Sequence, residues 1–186
     1  MRRLLPLRVL LPLALGVIVS LGVLGFAEIG YRRLEFANKA MSAALEMETA
    51  VNETLALIGD AESSQRGFLL TGDPSYLKPY KAALPKIDET FARLRELINA
   101  NGTAVMTEHA GQLNVLIGKK LNELESTLAL NERSGREAAF QLINTGLGQR
   151  LMEEIRTQAQ SILDELRESS RRGGTRWAQE IGRAHV

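Results

Sequence analysis

The stretch DAESSQRGFLLTGDPSYLKPY, Asp60–Tyr80, of the 186-residue chain combines a helical charge pair, a glycine beside an aromatic and a sharp breaker. Glu62 and Arg66 stand four apart with the acid first, the favourable order for an ion pair on a helix face. Gln65 places an amide beside them. Gly67 removes a side chain where Phe68 and a neighbouring helix need room. Thr71, Gly72, Asp73 and Pro74 spell a helix stop and restart. Gly72 can take the left-handed conformation, Asp73 can cap the next helix, and Pro74 stands where its missing N–H costs nothing. Leu69 and Leu70 read as core, with Tyr76, Leu77 and Tyr80 packing back on them from the restarted helix. Taken one residue at a time, this is a helical corner with a surface pair contributing about 0.3–0.5 kcal/mol.

Other candidate chemistry is weaker. The carboxylates of Glu153–Glu154 and Asp164–Glu165 are sequence neighbours, so on a helix they diverge by roughly 100° and form a solvated face rather than a catalytic pair. Ser63 and Ser64 have no histidine near them to act as a base, and no glycine-rich phosphate loop is present. His109 reads as a packed or surface residue. With no cysteine and with only His109 and His185, the chain has neither a disulfide framework nor the ligands of a zinc site. The chain therefore reads as no enzyme, with no catalytic residue, no metal and no cofactor.

The elements that must position Glu62–Tyr76 are helical. Four stretches carry apolar residues at spacings of three and four. The first has Leu34, Met41, Leu45, Val51, Leu55 and Ile58, and the second Leu84, Ile87, Phe91, Leu94 and Ile98. The third has Leu113, Ile117, Leu121, Leu124 and Leu128, and the fourth Leu151, Ile155, Ala159, Ile162 and Leu166. Each stripe leaves one face polar, and such a helix is stable only when its stripe is covered. The simplest cover is mutual, so the expected fold is all-α: an antiparallel four-helix bundle. Besides TGDP, the breaks are NANGT at 99–103, NERSG at 131–135 and NTGLG at 144–148, with REAAFQLI a short helix over one end of the bundle.

Charge and hydropathy place this bundle beside a membrane. Residues 28–170 carry 16 Lys and Arg against 21 Asp and Glu, whereas the segments on either side are basic. An acidic body offers no continuous basic face to phosphates, so a nucleic-acid partner is not expected. Val9–Ala27 is nineteen residues without a charge, about 28 Å of helix and close to the thickness of a bilayer core. Arg2, Arg3 and Arg8 precede it. By the positive-inside tendency they keep residues 1–8 cytoplasmic, make 9–27 a transmembrane helix, and put 28–170 outside the inner (plasma) membrane. Gly25-Phe26-Ala27 would also suit a signal peptidase, but the apolar run is longer than a usual signal core and the helical pattern continues into EIGYRRLEFANKAM.

The order of residues in the corner is more specific than any one of them. Glu62, then Gln65-Arg66-Gly67-Phe68-Leu69-Leu70-Thr71-Gly72, then Tyr76-Leu77 closely resemble the signature of the CHASE3 family of helical extracytoplasmic sensor domains in bacterial receptors. KKLNELESTLALNERSGREAAFQLINTGLGQRLMEEIR, Lys119–Arg156, is similar to the family's second half, and the likeness covers roughly Tyr31–Ser170. It implies a four-helix bundle between two membrane helices, feeding a histidine kinase, a diguanylate cyclase or a chemotaxis-type output. Homodimers and an unknown small-molecule or protein signal would be its partners. Glu62, Gln65, Arg66, Gly67, Phe68, Thr71, Gly72 and Tyr76 are the candidate sensory residues. A different class fits the composition equally well: a membrane-anchored scaffold that organises partners and transmits nothing.

Arg171, Arg172, Arg176 and Trp177 suit a juxtamembrane collar over 171–180. IGRAHV, 181–186, fits neither the helical pattern nor the resemblance, and matches what one reading frame of a common sequencing adapter encodes. The expectation is a natural chain that continues past about Gln179 into a second apolar span of ~20 residues and a cytoplasmic output domain.

The topology is open to a direct test. A phosphatase reporter joined after Leu166 is expected to be active and a fluorescent protein that matures only in the cytoplasm to stay dark. The opposite pattern would rule out an extracytoplasmic bundle.

Overall fold

The computed structural model describes the backbone over residues 7–183 and side chains over 15–172. Residues 1–6 of the basic N-terminus, the side chains of Arg176 and Trp177, and residues 184–186 lie outside that range. Five helices follow in order: α1 (Leu7–Thr71), α2 (Leu77–Asn101), α3 (Ala104–Ser134), α4 (Arg136–Asn144) and α5 (Leu147–Arg183). By compactness the chain divides into Met1–Ser42 and Ala43–Val186.

In the first unit every described side chain is exposed, including Val17, Ile18, Leu21, Leu24 and Phe26. Here α1 is long and apolar enough to cross a membrane. The Ser20 hydroxyl donates to the Gly16 carbonyl at 2.8 Å, so the one polar side chain of the apolar run is satisfied on its own helix. Farther along, Arg32 pairs with Glu28 and Lys39 with Glu35, each one turn away.

The second unit is the antiparallel four-helix bundle, built by the later part of α1 with α2, α3 and α5. Met47, Val51 and Ile58 of α1 meet Ile87, Phe91, Leu94 and Ile98 of α2, Leu113, Ile117 and Leu124 of α3, and Ile155, Ala159 and Ile162 of α5 in one core. The expected stripes of α2, α3 and α5 all face this core, with Leu84, Leu121 and Leu128 at its margin. The first stripe needs correction. Leu34, Met41 and Leu45 are exposed, and core packing by α1 starts at Ala44 and Met47. Apolar spacing cannot tell a stripe covered by a neighbour from one that is not.

Each connection has a local cause. Gly72 takes φ +75° and its N–H donates to Phe68 O at 2.7 Å, closing α1. Asp73 then accepts from the Ser75 N–H at 2.8 Å, capping a 3-10 turn, Pro74–Tyr76, that leads into α2. The Ser75 backbone N–H, and next its hydroxyl, hold the Asp73 carboxyl below its ordinary value. Arg136 reaches back from α4 to the Leu70 carbonyl at 3.1 Å, satisfying one of the carbonyls orphaned at the end of α1. Leu70 itself is 65% exposed, so only Leu69 of that pair belongs to the buried set.

Between α2 and α3 only Gly102 and Thr103 intervene, and the Thr103 hydroxyl caps α3 by accepting from the Met106 N–H at 3.2 Å. The NERSG and NTGLG breaks are narrower than their sequences suggest. Gly135 alone, at φ +84°, separates α3 from α4, and Thr145 with Gly146, at φ +70°, separates α4 from α5. Helix α4 packs against α3 and buries Ala139.

Gly67 turns out to serve a different neighbour from the one its sequence context suggests. A methyl group there would run into the Tyr76 ring, overlapping Cδ1 and coming within 2.6 Å of Cε1. The glycine lets Tyr76 fold over the end of α1. These ring atoms lie near the base of the side chain and cannot swing clear without giving up the packing. Gly67→Leu is therefore expected to lower stability by about 1–3 kcal/mol in the natural background. In a Tyr76→Ala background the same change should cost much less. Equilibrium unfolding of the detergent-solubilised chain measures both, and equal losses would show that Tyr76 is not what Gly67 accommodates.

Candidate functional site

The residues singled out around Glu62 meet partners that lie far away in sequence. Along α3 the buried positions run 113, 116, 117, 120, 123, 124 and 127, so Lys120, Glu123 and Thr127 occupy places in the apolar stripe. Lys120 is 1% exposed and is one of the largest fully buried side chains. A lone buried ammonium would be severely unfavourable, and this one is matched three ways. Its Nζ lies 3.0 Å from Glu123 Oε2, 3.3 Å from Glu62 Oε2 on α1, and 3.3 Å from the Gly148 carbonyl in the first turn of α5.

The other lone pairs are also taken. The Thr127 hydroxyl donates within α3 to the Glu123 carbonyl at 2.8 Å and lies 3.3 Å from Glu123 Oε1. Glu62 turns its second oxygen toward Arg66 Nη2, 2.7 Å away. Gln65, buried beside them, donates to the Leu124 carbonyl at 2.7 Å and ties α1 to α3 directly. Among the described residues no buried side-chain nitrogen or oxygen lacks a partner.

The Glu62–Arg66 pair is thus not the plain surface bridge that its spacing describes. The Glu62 side chain is 15% exposed and Arg66 54%, so the pair runs from solvent into a buried cluster. In their ordinary charge states Glu62, Glu123, Lys120 and Arg66 sum to zero, and Arg66 is the exposed member. Gly148 makes room for the cluster. A Cβ there would lie 2.9 Å from Lys120 Nζ and 3.0 Å from a Glu123 carboxylate oxygen. Nearby, Tyr80 is buried, and its phenol is pushed above its ordinary value chiefly by burial and then by the negative charges of Glu125 and Glu123.

The remaining candidates serve the corner. Thr71 donates to the Gly67 carbonyl at 2.7 Å and accepts from the Asp73 N–H at 3.1 Å, while Phe68 is half-buried and Gly72 supplies the positive φ. His109 is half-buried on α3 with Nδ1 2.7 Å from Gln158 Oε1 on α5. A shallow depression of about 270 Å³ on α3 and α5 is lined by Leu116, Arg150, Glu153, Glu154, Thr157 and Gln158 and includes none of the candidate sensory residues. No group of three or more potential metal ligands occurs among the described residues.

Lys120, Glu123 and Gly148 were missed by reading short-range spacing. The available signal was a lysine three residues after Ile117 and four before Leu124, at a position of the third stripe where a charge is out of place. The cluster can hold helices together, and its charges balance internally with no activated nucleophile among them. Lys120→Met strands two carboxylates and is expected to cost about 3–5 kcal/mol, whereas a charge-free Glu62→Leu/Lys120→Met/Glu123→Leu chain should recover most of that loss. Denaturant unfolding of both variants is the measurement. A single variant as stable as the parent would mean that Lys120 is not tied as described.

Comparison with known proteins adds an independent observation. The model of the family described as the CHASE3 domain matches residues 37–174. Among solved structures, the sensor domain of the Rhodopseudomonas palustris histidine kinase HK9 is similar, with a TM-score of 0.52 and 30% sequence identity over 71% of this chain and 95% of that one. No match was found among curated proteins.

Proposed function

The chain belongs to the CHASE3 domain family, and from that premise we propose that it is the extracytoplasmic input module of a bacterial membrane receptor of the histidine kinase type. A sensory module of this family is not itself catalytic. The observation that carries the finer reading is the place of the family match: residues 37–174 lie on α1 through α5, and α1 is also the helix that carries the apolar stretch. The similar solved domain is a histidine kinase's sensor, which favours that output over a cyclase or a chemotaxis-type domain.

On this reading the bundle converts an external event into a small shift of α5 against α1. Packed helices slide or tilt by about an ångström or two between discrete arrangements, and interfaces of this kind are bistable rather than continuously deformable. Glu62, Gln65 and Arg66 act as the polar seam between α1 and its neighbours, and Gly67, Phe68, Thr71, Gly72 and Tyr76 hold the corner that limits how far α1 and α2 separate. Two such chains in a homodimer would move against each other. No nucleic acid enters the mechanism.

A chimera tests the proposal. Residues 28–172 are placed between the two membrane helices of a well-behaved histidine kinase, and one to four alanines are inserted after Ala37. The helical repeat of about 3.6 residues makes kinase output in membrane vesicles rise and fall with insert length if α1 transmits a rotation or tilt. Output that stays flat across the whole series would favour an anchored scaffold that signals nothing.

A further inference from the structure

We infer that the buried charge cluster is a latch on the junction between α4 and α5, and that Arg66 is its exposed release arm. Three observations lead there. The junction is weak by construction: Gly146 has φ +70°, and the first turn of α5 has no fully buried side chain before Leu151, with Leu147 exposed and Gln149 and Arg150 in solvent. Among the described hydrogen bonds, the one that ties this turn to another helix is Lys120 Nζ to the Gly148 carbonyl. The Arg150 contact to the Thr145 carbonyl stays within the junction.

The second observation is the charge balance. Without the Arg66 charge, the buried set is two carboxylates on one ammonium, an excess negative charge held out of water. Glu62 already touches solvent, and the least costly relief is for it to turn outward. The Lys120 ammonium, 3.3 Å from that carboxylate, follows it outward while keeping Glu123 at 3.0 Å. The neutral Gly148 carbonyl, 3.3 Å away on α5, is a weaker acceptor than either carboxylate and is the contact it gives up. A change at an exposed arginine on α1 thereby frees the start of α5.

The third observation is steric. A Cβ at Gly148 would lie 2.9 Å from Lys120 Nζ and 3.0 Å from a Glu123 carboxylate oxygen, so the ends of those two side chains would have to shift. Displacing the ammonium from the position that reaches the Gly148 carbonyl gives a second way to open the latch with Arg66 intact.

Hydrogen exchange of the full chain in lipid nanodiscs, read by mass spectrometry, tests the latch without reference to any signalling output, so its failure would leave the receptor assignment untouched. Arg66→Gln is expected to speed exchange over residues 145–152 at least tenfold while residues 102–106 in the α2–α3 turn stay within twofold of the parent. Arg66→Lys, which keeps the charge, should stay near the parent. So should Arg93→Gln, which breaks the exposed Arg93–Glu53 pair of 3.0 Å elsewhere on the bundle. Gly148→Ala should speed exchange over 145–152 as Arg66→Gln does. Unchanged exchange there in Arg66→Gln or in Gly148→Ala overturns the latch, and so does an equal rise at 102–106, which would mark a general loosening.

Discussion

A buried ammonium has to be neutralised where it sits, and much of the corner end of this bundle is arranged to do so. Lys120 occupies a position of α3 that would otherwise hold a leucine. Its charge is met by a carboxylate from its own helix, Glu123, a second from α1, Glu62, and a backbone carbonyl from α5 at Gly148, with an exposed cation, Arg66, to balance the total. Three helices are thereby held at one point by groups whose geometry is far more exacting than apolar contact. Hydrophobic burial holds the bundle together, but it tolerates sliding. The charge cluster does not, and it fixes how α1, α3 and α5 stand against one another at this level.

The fold was largely legible in the sequence because its determinants are local. Stripes at spacings of three and four identify the helices, and Gly72, Asp73 and Pro74 set a corner whose chemistry lies within four residues. The buried faces of α2, α3 and α5 follow from Ile87–Ile98, Leu113–Leu128 and Leu151–Leu166 with little ambiguity. Where the reading failed, as at Leu34, Met41 and Leu45, the pattern was present but nothing within the described chain covers it. Periodicity records which residues share a face, and says nothing of what that face meets.

The site was legible only in half. Glu62, Gln65 and Arg66 stand out because they are polar neighbours on one helix. Their partners are invisible to any short window: Gln65 meets Leu124 across 59 residues, and Lys120 meets Gly148 across 28. Whether the Glu62–Arg66 pair is buried depends on Lys120, which stands beside Lys119 in KKLNELE with no local sign of its partners. The clue lay in its register with Ile117 and Leu124, and that clue has meaning only once four helices are packed. Gly67 shows the same limit, since the spacing marks a tight approach and cannot name Tyr76 as the group that approaches.

The two-residue link between α2 and α3 bears on the order in which the molecule assembles. Gly102 and Thr103 close that hairpin at small entropic cost, so α2 and α3 can meet early, whereas the groups of the cluster, its charges and the Gly148 carbonyl, come from three helices distant in the chain. Docking this level of α3 before Glu62 and Gly148 arrive would bury an unpaired ammonium, so this end of the bundle would close late, together with its charges. Its contribution then falls on the native side of the transition state and governs the unfolding rate more than the folding rate. The bundle would accordingly collapse quickly on its oily faces and owe its lifetime to a few late-placed charges.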